Sequence, residues 1–181
     1  MSTEIFEKLS RLADDVGFSH NGRLNTDAII ALPEVREMCA DGKCKIYGTN
    51  WKCPPHCGTI EECEAKMKSF SDGIIVQTTM NLEDEFDGEG MMEAHEIHLK
   101  HFKQFVSEIR EEYPDVLPLS AGTCTICAKC TCPDDPCRNP AKAMSSMEAF
   151  GLNISDVCRE SGIPYYYGPC TMTYTSCVLF D

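Results

Sequence analysis

The sequence predicts an α/β fold, a single layered domain with a mixed sheet, helices on its faces and two cysteine-rich metal-binding loops. Segments with strand-like patterns alternate with segments that have helical periodicity. The chain has 181 residues, enough for one hydrophobic core, and no repeat or linker divides it. Ten of its 13 cysteines fall within residues 36–63 and 121–140. We therefore predict one domain over residues 1–181, with cysteine loops at 36–63 and 121–140.

The first part of the chain predicts a helix, a strand and a long loop. Apolar residues recur at steps of three and four over residues 3–16, which is typical of one helix face, and Gly17 follows. A strand is predicted near residues 17–24. Residues 36–58 are dense in Gly, Pro, Asn and Cys without a sustained period, which predicts a loop.

A helix, a strand and a second helix are predicted next. Thr59 precedes a helical pattern, and Glu62 three residues later completes a capping box. The apolar run "DGIIVQTTM" predicts a buried strand over residues 72–80. Apolar positions at helical spacing predict a long amphipathic helix over residues 91–113, ended by Pro114.

The remaining elements are three strands and one short helix. Strands are predicted at "DVLPLSAG", "IPYYYG" and "TYTSCVLF", and a helix at "ISDVCRES". The long helix also contains "HEIHLKH", in which His98 follows His95 by three residues instead of four. This spacing does not form the zinc motif HExxH, so we expect ordinary helix-surface histidines, with His95 on the apolar side.

Charge and composition limit the possible partners. The formal net charge is -13, and no basic patch is dense enough for nucleic acid, so we expect none to bind. No apolar run reaches the roughly 18 residues that a membrane helix needs, so we expect no membrane association. An odd number of cysteines and an N-terminus unlike a secretory signal predict a cytoplasmic protein with reduced thiols. The sequence does not indicate an oligomeric state.

The second cysteine loop has the more informative spacing. Its first three cysteines form C-x2-C-x2-C, the ferredoxin-type run that wraps around a 4Fe-4S cluster, and a fourth follows after six intervening residues. We predict one 4Fe-4S cluster with the ligands Cys124, Cys127, Cys130 and Cys137. Cys132 is then a spare thiol or a competing third ligand. Structural zinc is the alternative, although zinc sites usually combine two separated cysteine pairs.

The first cysteine loop has a less specific pattern, C-x4-C-x8-C-x3-C. We predict a second 4Fe-4S cluster, or a zinc site, with the ligands Cys39, Cys44, Cys53 and Cys57. Cys63 or His56 could replace Cys57 as the fourth ligand. Of the cysteines near the C-terminus, Cys177 lies in an apolar run and is expected to behave as a small buried hydrophobe.

Several motifs along the chain resemble an uncharacterised family of predicted metal-binding, cysteine-rich proteins, the domain of unknown function 2284. They are "VREMC", "CPPHCGTIEEC", "GIIVQT", "AGTCTICAKCTCPDDPCRNPAKAMSSMEAFGLNISDVC" and "YYYGPCTMTYTSCVLF". The resemblance implies iron-sulfur chemistry in anaerobes. It supports Cys39, Cys44 and Cys53 in the first site and all four predicted ligands in the second.

The leading functional hypothesis is an iron-sulfur protein with two 4Fe-4S clusters. It would act in electron transfer, or as a redox accessory to a partner enzyme, through a redox partner protein. One alternative is an enzyme whose cluster has an open coordination position and acts on a small molecule or cofactor. Another is a zinc-binding scaffold or metallochaperone.

Overall fold

A computed structural model describes residues 2–42 and 44–181; residues 1 and 43, which fall within the predicted domain and first loop, lie outside the described part. The helices are α1 Ser2–Val16, α2 Pro33–Ala40, α3 Ile60–Met67, α4 Gly88–Glu112 and α5 Ile154–Glu160. The strands are β1 His20–Arg23, β2 Asp72–Asn81, β3 Leu117–Ser120, β4 Ser145–Ser146 and β5 Thr171–Phe180. Within the described residues, no helix combines the length and apolarity required to cross a bilayer.

The five strands form one mixed sheet in the order β1-β2-β5-β3-β4. β2 and β5 pair antiparallel along their whole length, from Asp72 opposite Phe180 to Asn81 opposite Thr171. β3 pairs antiparallel with β5 but parallel with β4. The sheet and the helices around it confirm the predicted α/β fold with a mixed sheet. The extent of the domain over residues 1–181 stays a prediction.

Apolar residues are buried on both faces of the central strands. Ile74 and Val76 of β2 pack into a core with α1 and α4, whereas Ile75 between them packs into a second core with α3 and α5. Successive side chains of a strand point to opposite faces, so β2 needs helices on both sides. The molecule therefore has three layers, with the sheet in the middle.

The cysteine loops occupy the connections of this framework. The first joins α2 to α3, and the second lies in residues 121–144, between β3 and β4. Because β3 and β4 are parallel neighbours, the chain needs a long crossover between them, and the second cysteine loop supplies it. α3 begins with the predicted capping box: the Glu62 N–H donates to Thr59 Oγ1 at 3.2 Å, and the Thr59 N–H donates to Glu62 Oε2 at 2.8 Å.

Most predicted elements are confirmed, but the loop predicted from residue 36 begins too early. α2 extends to Ala40, so Cys39 lies in the last turn of a helix. Pro33 stands in the first turn of α2, where its missing N–H costs no hydrogen bond. Val35 is the buried residue of this short helix, which explains why the sequence shows no helical period there.

The strand predicted at "IPYYYG" is also wrong. This segment pairs with no strand in the described part of the chain, and Tyr165 and Tyr166 are exposed. Its polar groups instead bind the sheet through one side chain: the Pro164 carbonyl accepts from Gln77 Nε2 at 3.0 Å, and Tyr167 donates to Gln77 Oε1 at 2.7 Å. Pro164 and Tyr167 thus anchor this connection to the sheet without extending it.

The prediction of surface histidines fails at His98, which is fully buried. Its Nδ1 lies 3.0 Å from Thr78 Oγ1 and its Nε2 lies 2.8 Å from Ser176 Oγ. Burial lowers the pKa of His98 to about 3, so the ring is neutral at physiological pH. His98 therefore joins α4 to the two central strands as a satisfied core residue.

Gly151 provides a test of the packing between the turn that follows β4 and the starts of α2 and α3. It has a φ of 79°, and a Cβ there would lie 2.6 Å from Ile60 Cδ1 and 3.0 Å from the Leu32 amide nitrogen. Gly162 has a similar φ of 70° but no atom within 4 Å of its Cβ position. Gly162→Ala should therefore cost only the backbone strain of about 1–2 kcal/mol, and Gly151→Ala about 1–3 kcal/mol more.

Thermal unfolding of the two variants checks this difference. A domain of this size loses about 2–4 °C of Tm per kcal/mol, so Gly151→Ala should melt several degrees below Gly162→Ala. Equal melting temperatures would contradict the packing described around Gly151.

Candidate metal centre

Four thiols of the second loop line a single small cavity. They are Cys124, Cys127, Cys130 and Cys137, the same set that the spacing predicts as ligands. The first loop contributes Asn50, Trp51 and Lys52 to the wall of this cavity. The structure thus brings the four cysteines to one place, while their role as ligands stays a prediction.

Hydrogen-bond donors point at two of these sulfur atoms. Asn139 Nδ2 lies 3.2 Å from Cys127 Sγ. Burial acts to raise the pKa of Cys130, but backbone N–H groups, led by those of Cys132 and Trp51, donate to its sulfur and lower the pKa overall. Donors of this kind stabilise a thiolate, which is the form that binds metal.

Cys132 lies close to this site but is absent from the described lining of the cavity. Its side chain is buried, and its Sγ lies 3.9 Å from the Gly48 carbonyl oxygen in the first loop. Burial is the main cause that raises the pKa of Cys132, so its thiol keeps its proton. This placement favours the spare thiol over the competing ligand.

The four predicted ligands of the first loop are also neighbours. Burial, followed by the nearby thiols of Cys44 and Cys57, raises the pKa of Cys53 to about 12. Burial likewise raises the pKa of Cys39, with the Cys44 thiol as the next contribution. Thiols that raise one another's pKa values interact electrostatically, so the four cysteines lie in one part of the loop.

The backbone between Cys53 and Cys57 forms a compact turn. The amides of His56 and Cys57 both donate to the Cys53 carbonyl, at 2.9 and 3.1 Å. The Gly48 amide donates to the Pro54 carbonyl at 3.0 Å, which fixes the preceding part of the loop against the turn. The His56 ring packs edge-on against Trp51, with 5.2 Å between the ring centroids.

A hydrogen bond between their thiols distinguishes Cys57 from Cys63, and Arg36 lies beside both. Its Nη2 lies 3.5 Å from Cys57 Sγ, and its Nη1 lies 3.9 Å from Cys63 Sγ. A hydrogen bond from Cys63 and the guanidinium of Arg36 lower the pKa of Cys57, whereas the same hydrogen bond and burial raise that of Cys63. The pair therefore shares one proton on Cys63, which favours Cys57 as the fourth thiolate of the first site.

Asn50 joins the two cysteine loops. Its side chain is buried, its Nδ2 donates to the Cys124 carbonyl at 3.2 Å, and its Oδ1 accepts from the Lys52 amide at 3.0 Å. The thiols of Cys53 and Cys124 are near enough to interact electrostatically. Trp51 adds a further bond between the loops, from its Nε1 to the Asp135 carbonyl at 2.9 Å. The cysteines of the first loop and those of the second loop thus lie next to each other.

The cavity lined by the four thiols of the second loop measures about 20 Å³, which is close to the space of a single water molecule. As placed in residues 2–42 and 44–181, no three histidine, cysteine, aspartate or glutamate side chains form a group that could hold a metal ion. Binding of a metal at either site would therefore require movement of the thiol side chains.

The remaining cysteines lie away from the two sites. Cys177 on β5 is fully buried in the core, as predicted from its apolar run. Cys158 on α5 is buried in the same core, where its sulfur lies 3.6 Å from Gln77 Nε2. Cys170 is half-buried next to the start of β5. Burial raises the pKa of Cys158 and of Cys177, so both remain protonated thiols.

A family model for predicted metal-binding proteins, DUF2284, matches residues 22–180 and so includes both cysteine loops. The chain belongs to this family. No curated protein and no solved structure matches the chain. The family assignment confirms the resemblance found in the sequence and supports metal binding. The description of the family names no reaction.

Several residues that support the two sites escaped the sequence reasoning. Arg36, Asn50 and Asn139 all contact cysteines or their backbone. Asn139 follows the last cysteine of its loop by two residues, and this short separation could have predicted that it lies at the second site. Arg36 and Asn50 reach their partners across 21 and 74 residues of chain, and short motifs carry no information about contacts at such separations.

The bridging role of Asn50 is testable by substitution. Asn50→Ala removes both hydrogen bonds, whereas Asn50→Asp retains the acceptor for the Lys52 amide and loses the donor to Cys124. Unpaired buried groups cost about 1–3 kcal/mol, so both variants should lower the Tm by several degrees. Asn81→Ala, at an exposed position on β2, is the matched control and should leave the Tm unchanged. An Asn50→Ala variant as stable as the control would contradict the bridge.

Proposed function

We propose that this protein holds two 4Fe-4S clusters, one at each cysteine group, and passes electrons to a partner protein in the cytoplasm. The observation that carries the proposal is the second site, where cysteines at C-x2-C-x2-C spacing and one more distant cysteine line one cavity. A 4Fe-4S cluster takes four thiolate ligands, and this donor set supplies them. When bound, such clusters supply one-electron transfer.

The groups around the thiols fit an anionic sulfur cluster. Asn139 and the backbone amides near Cys130 donate to sulfur, and donors of this kind tune the reduction potentials of iron-sulfur clusters. In the first site, the Arg36 guanidinium lies beside Cys57 and offsets part of the negative charge of the thiolates. The groups around the cysteines therefore orient the thiolates and compensate their charge.

The contact between the loops supports electron transfer over electron storage at isolated centres. Cys53 and Cys124 are neighbours, and Asn50 binds the backbone of the second loop. Two centres held by these cysteines would lie side by side, so that an electron could enter at one and leave at the other. The formal net charge of -13 favours a partner with a basic docking surface.

A structural zinc protein is the second candidate, and the small size of the cavity in the second cysteine loop favours it. A cavity of about 20 Å³ accommodates one ion with less movement of the thiols than a cubane requires. The three cysteines at two-residue intervals favour the cubane, because zinc sites are usually built from two separated pairs.

Metal and sulfide analysis of the anaerobically purified protein separates the two candidates. Two 4Fe-4S clusters predict about eight irons and about eight acid-labile sulfides per chain, with a broad visible absorption that bleaches on reduction. Zinc without sulfide would reject the iron-sulfur proposal.

Cysteine variants test the ligand assignment. Cys127→Ser should remove about four irons and leave the first cluster intact, and Cys44→Ser should do the reverse. Cys132→Ser is the matched control within the second loop and should keep the full iron content, because Cys132 lies outside the cavity. Iron loss in the Cys132 variant as large as that in the Cys127 variant would overturn the assignment.

The Asn139 contact predicts an effect on potential. Asn139→Ala removes a hydrogen bond to the Cys127 sulfur, so the potential of the second cluster should become more negative while that of the first stays constant. Dithionite titration followed by electron paramagnetic resonance measures both potentials, with Asn81→Ala as the control. A loaded protein whose spin state does not change on reduction would contradict a role in electron transfer.

A further inference from the structure

A groove lies between α4 and the crossover that carries the second cysteine loop. Its volume is about 370 Å³, which is within the range of small-molecule sites. Residues of both elements line it: Lys103, Val106, Ser107, Arg110, Ile126, Ala141, Lys142 and Met144. Neither the family assignment nor the electron-transfer proposal assigns a role to this groove.

Three cations converge on the groove in a strongly acidic chain. Lys103 donates to Thr125 Oγ1 at 2.9 Å, and Arg110 donates to the Ala141 carbonyl at 2.6 Å. Both acceptors are neutral. In residues 2–42 and 44–181, no carboxylate forms a salt bridge with Lys103, Arg110 or Lys142. The chain has 29 acidic and 16 basic residues, and a groove lined by three cations and no carboxylate is therefore a local excess of positive charge.

Arg110 is half-buried, which makes the missing counter-charge costly. Burial lowers the pKa of its guanidinium because the charged form loses hydration. An anion in the groove would offset this cost with charge-assisted hydrogen bonds. Arg110 is also the residue best suited to a planar carboxylate or a phosphate, since its guanidinium can donate two parallel hydrogen bonds.

The rest of the lining is mainly apolar. Val106 and Met144 are buried, and Ile126 is half-buried. Charged side chains over an apolar wall indicate a ligand with an anionic group and an apolar portion. Ile126 also lines the cavity formed by the four thiols of the second loop, so the groove lies next to the candidate metal centre.

We propose that this groove binds a small organic anion, a carboxylate or phosphate ester with an apolar body. Lys103 and Arg110 bind the anionic group, and Val106, Ile126 and Met144 contact the apolar portion. The site gives the protein a small-molecule ligand in addition to a redox partner. It depends only on the groove and is independent of which metal the cysteines hold.

Calorimetric titration of the anaerobically purified protein with simple probes tests the site. Phenyl phosphate and benzoate should bind at millimolar concentration or below, and benzyl alcohol, which lacks the charge, should bind at least about tenfold more weakly. The stronger of the two anions identifies the phosphate or carboxylate class. Failure of both anions to bind, or equal binding of benzyl alcohol, would overturn the proposal.

Charge-matched variants locate the binding. Arg110→Gln and Lys103→Gln should each weaken the stronger anion by about tenfold. Lys66→Gln makes the same change of charge at an exposed position on α3 and should have no effect. Equal affinities of the Arg110→Gln, Lys66→Gln and wild-type proteins for the anion would overturn the assignment.

A steric variant keeps the test decisive if a charge variant fails to fold. Ser107→Trp fills the groove from an exposed position on α4 without changing the charge, and it should abolish binding of both anions. Metal content and Tm are measured for every variant, so that loss of the metal centre is distinguished from loss of the ligand. Undiminished binding by a folded Ser107→Trp protein would place the anion outside the groove.

Discussion

The two cysteine loops depend on how closely spaced, partly buried thiols keep or lose their protons. In the first site, burial and neighbouring sulfurs together raise the pKa values of Cys39 and Cys53. Deprotonating such a group without a cation would place several negative charges in one small volume. A bound metal removes this conflict, because it replaces the protons and neutralises the thiolates. Metal affinity should therefore rise with pH as the thiols are deprotonated.

The α/β framework brings the two thiol groups together from opposite parts of the chain. The parallel pair β3 and β4 requires a crossover, which carries the second loop across the edge of the sheet. The first loop is held at one end by α2 and at the other by the capping box of α3. Asn50 then fixes one loop on the other. The adjacency of the two sites is thus a property of the fold, and the same crossover forms one wall of the cationic groove.

The success of the sequence predictions follows the range of the interactions. Helical periodicity and strand alternation are local, so α1, α4, β2 and β5 could be predicted. Cysteine spacing is also local, and it predicts the four cysteines that line the cavity of the second loop. The prediction of an exposed His98 is wrong because its partners, Thr78 and Ser176, come from two strands of the sheet. The groove was missed for the same reason, since its cations come from α4 and from the crossover. Contacts between distant segments leave no regular spacing in the sequence.

Hydrogen exchange, compared between metal-loaded and metal-stripped protein, tests the central claim most directly. If metal holds the thiols together, removing it should expose the amides of residues 36–63 and 121–140 together, because Asn50 couples the two loops. The amides of β2 and β5 should remain protected, since their pairing and their two cores involve none of the eight predicted ligand cysteines. Equal protection of both cysteine loops with and without metal would contradict the account.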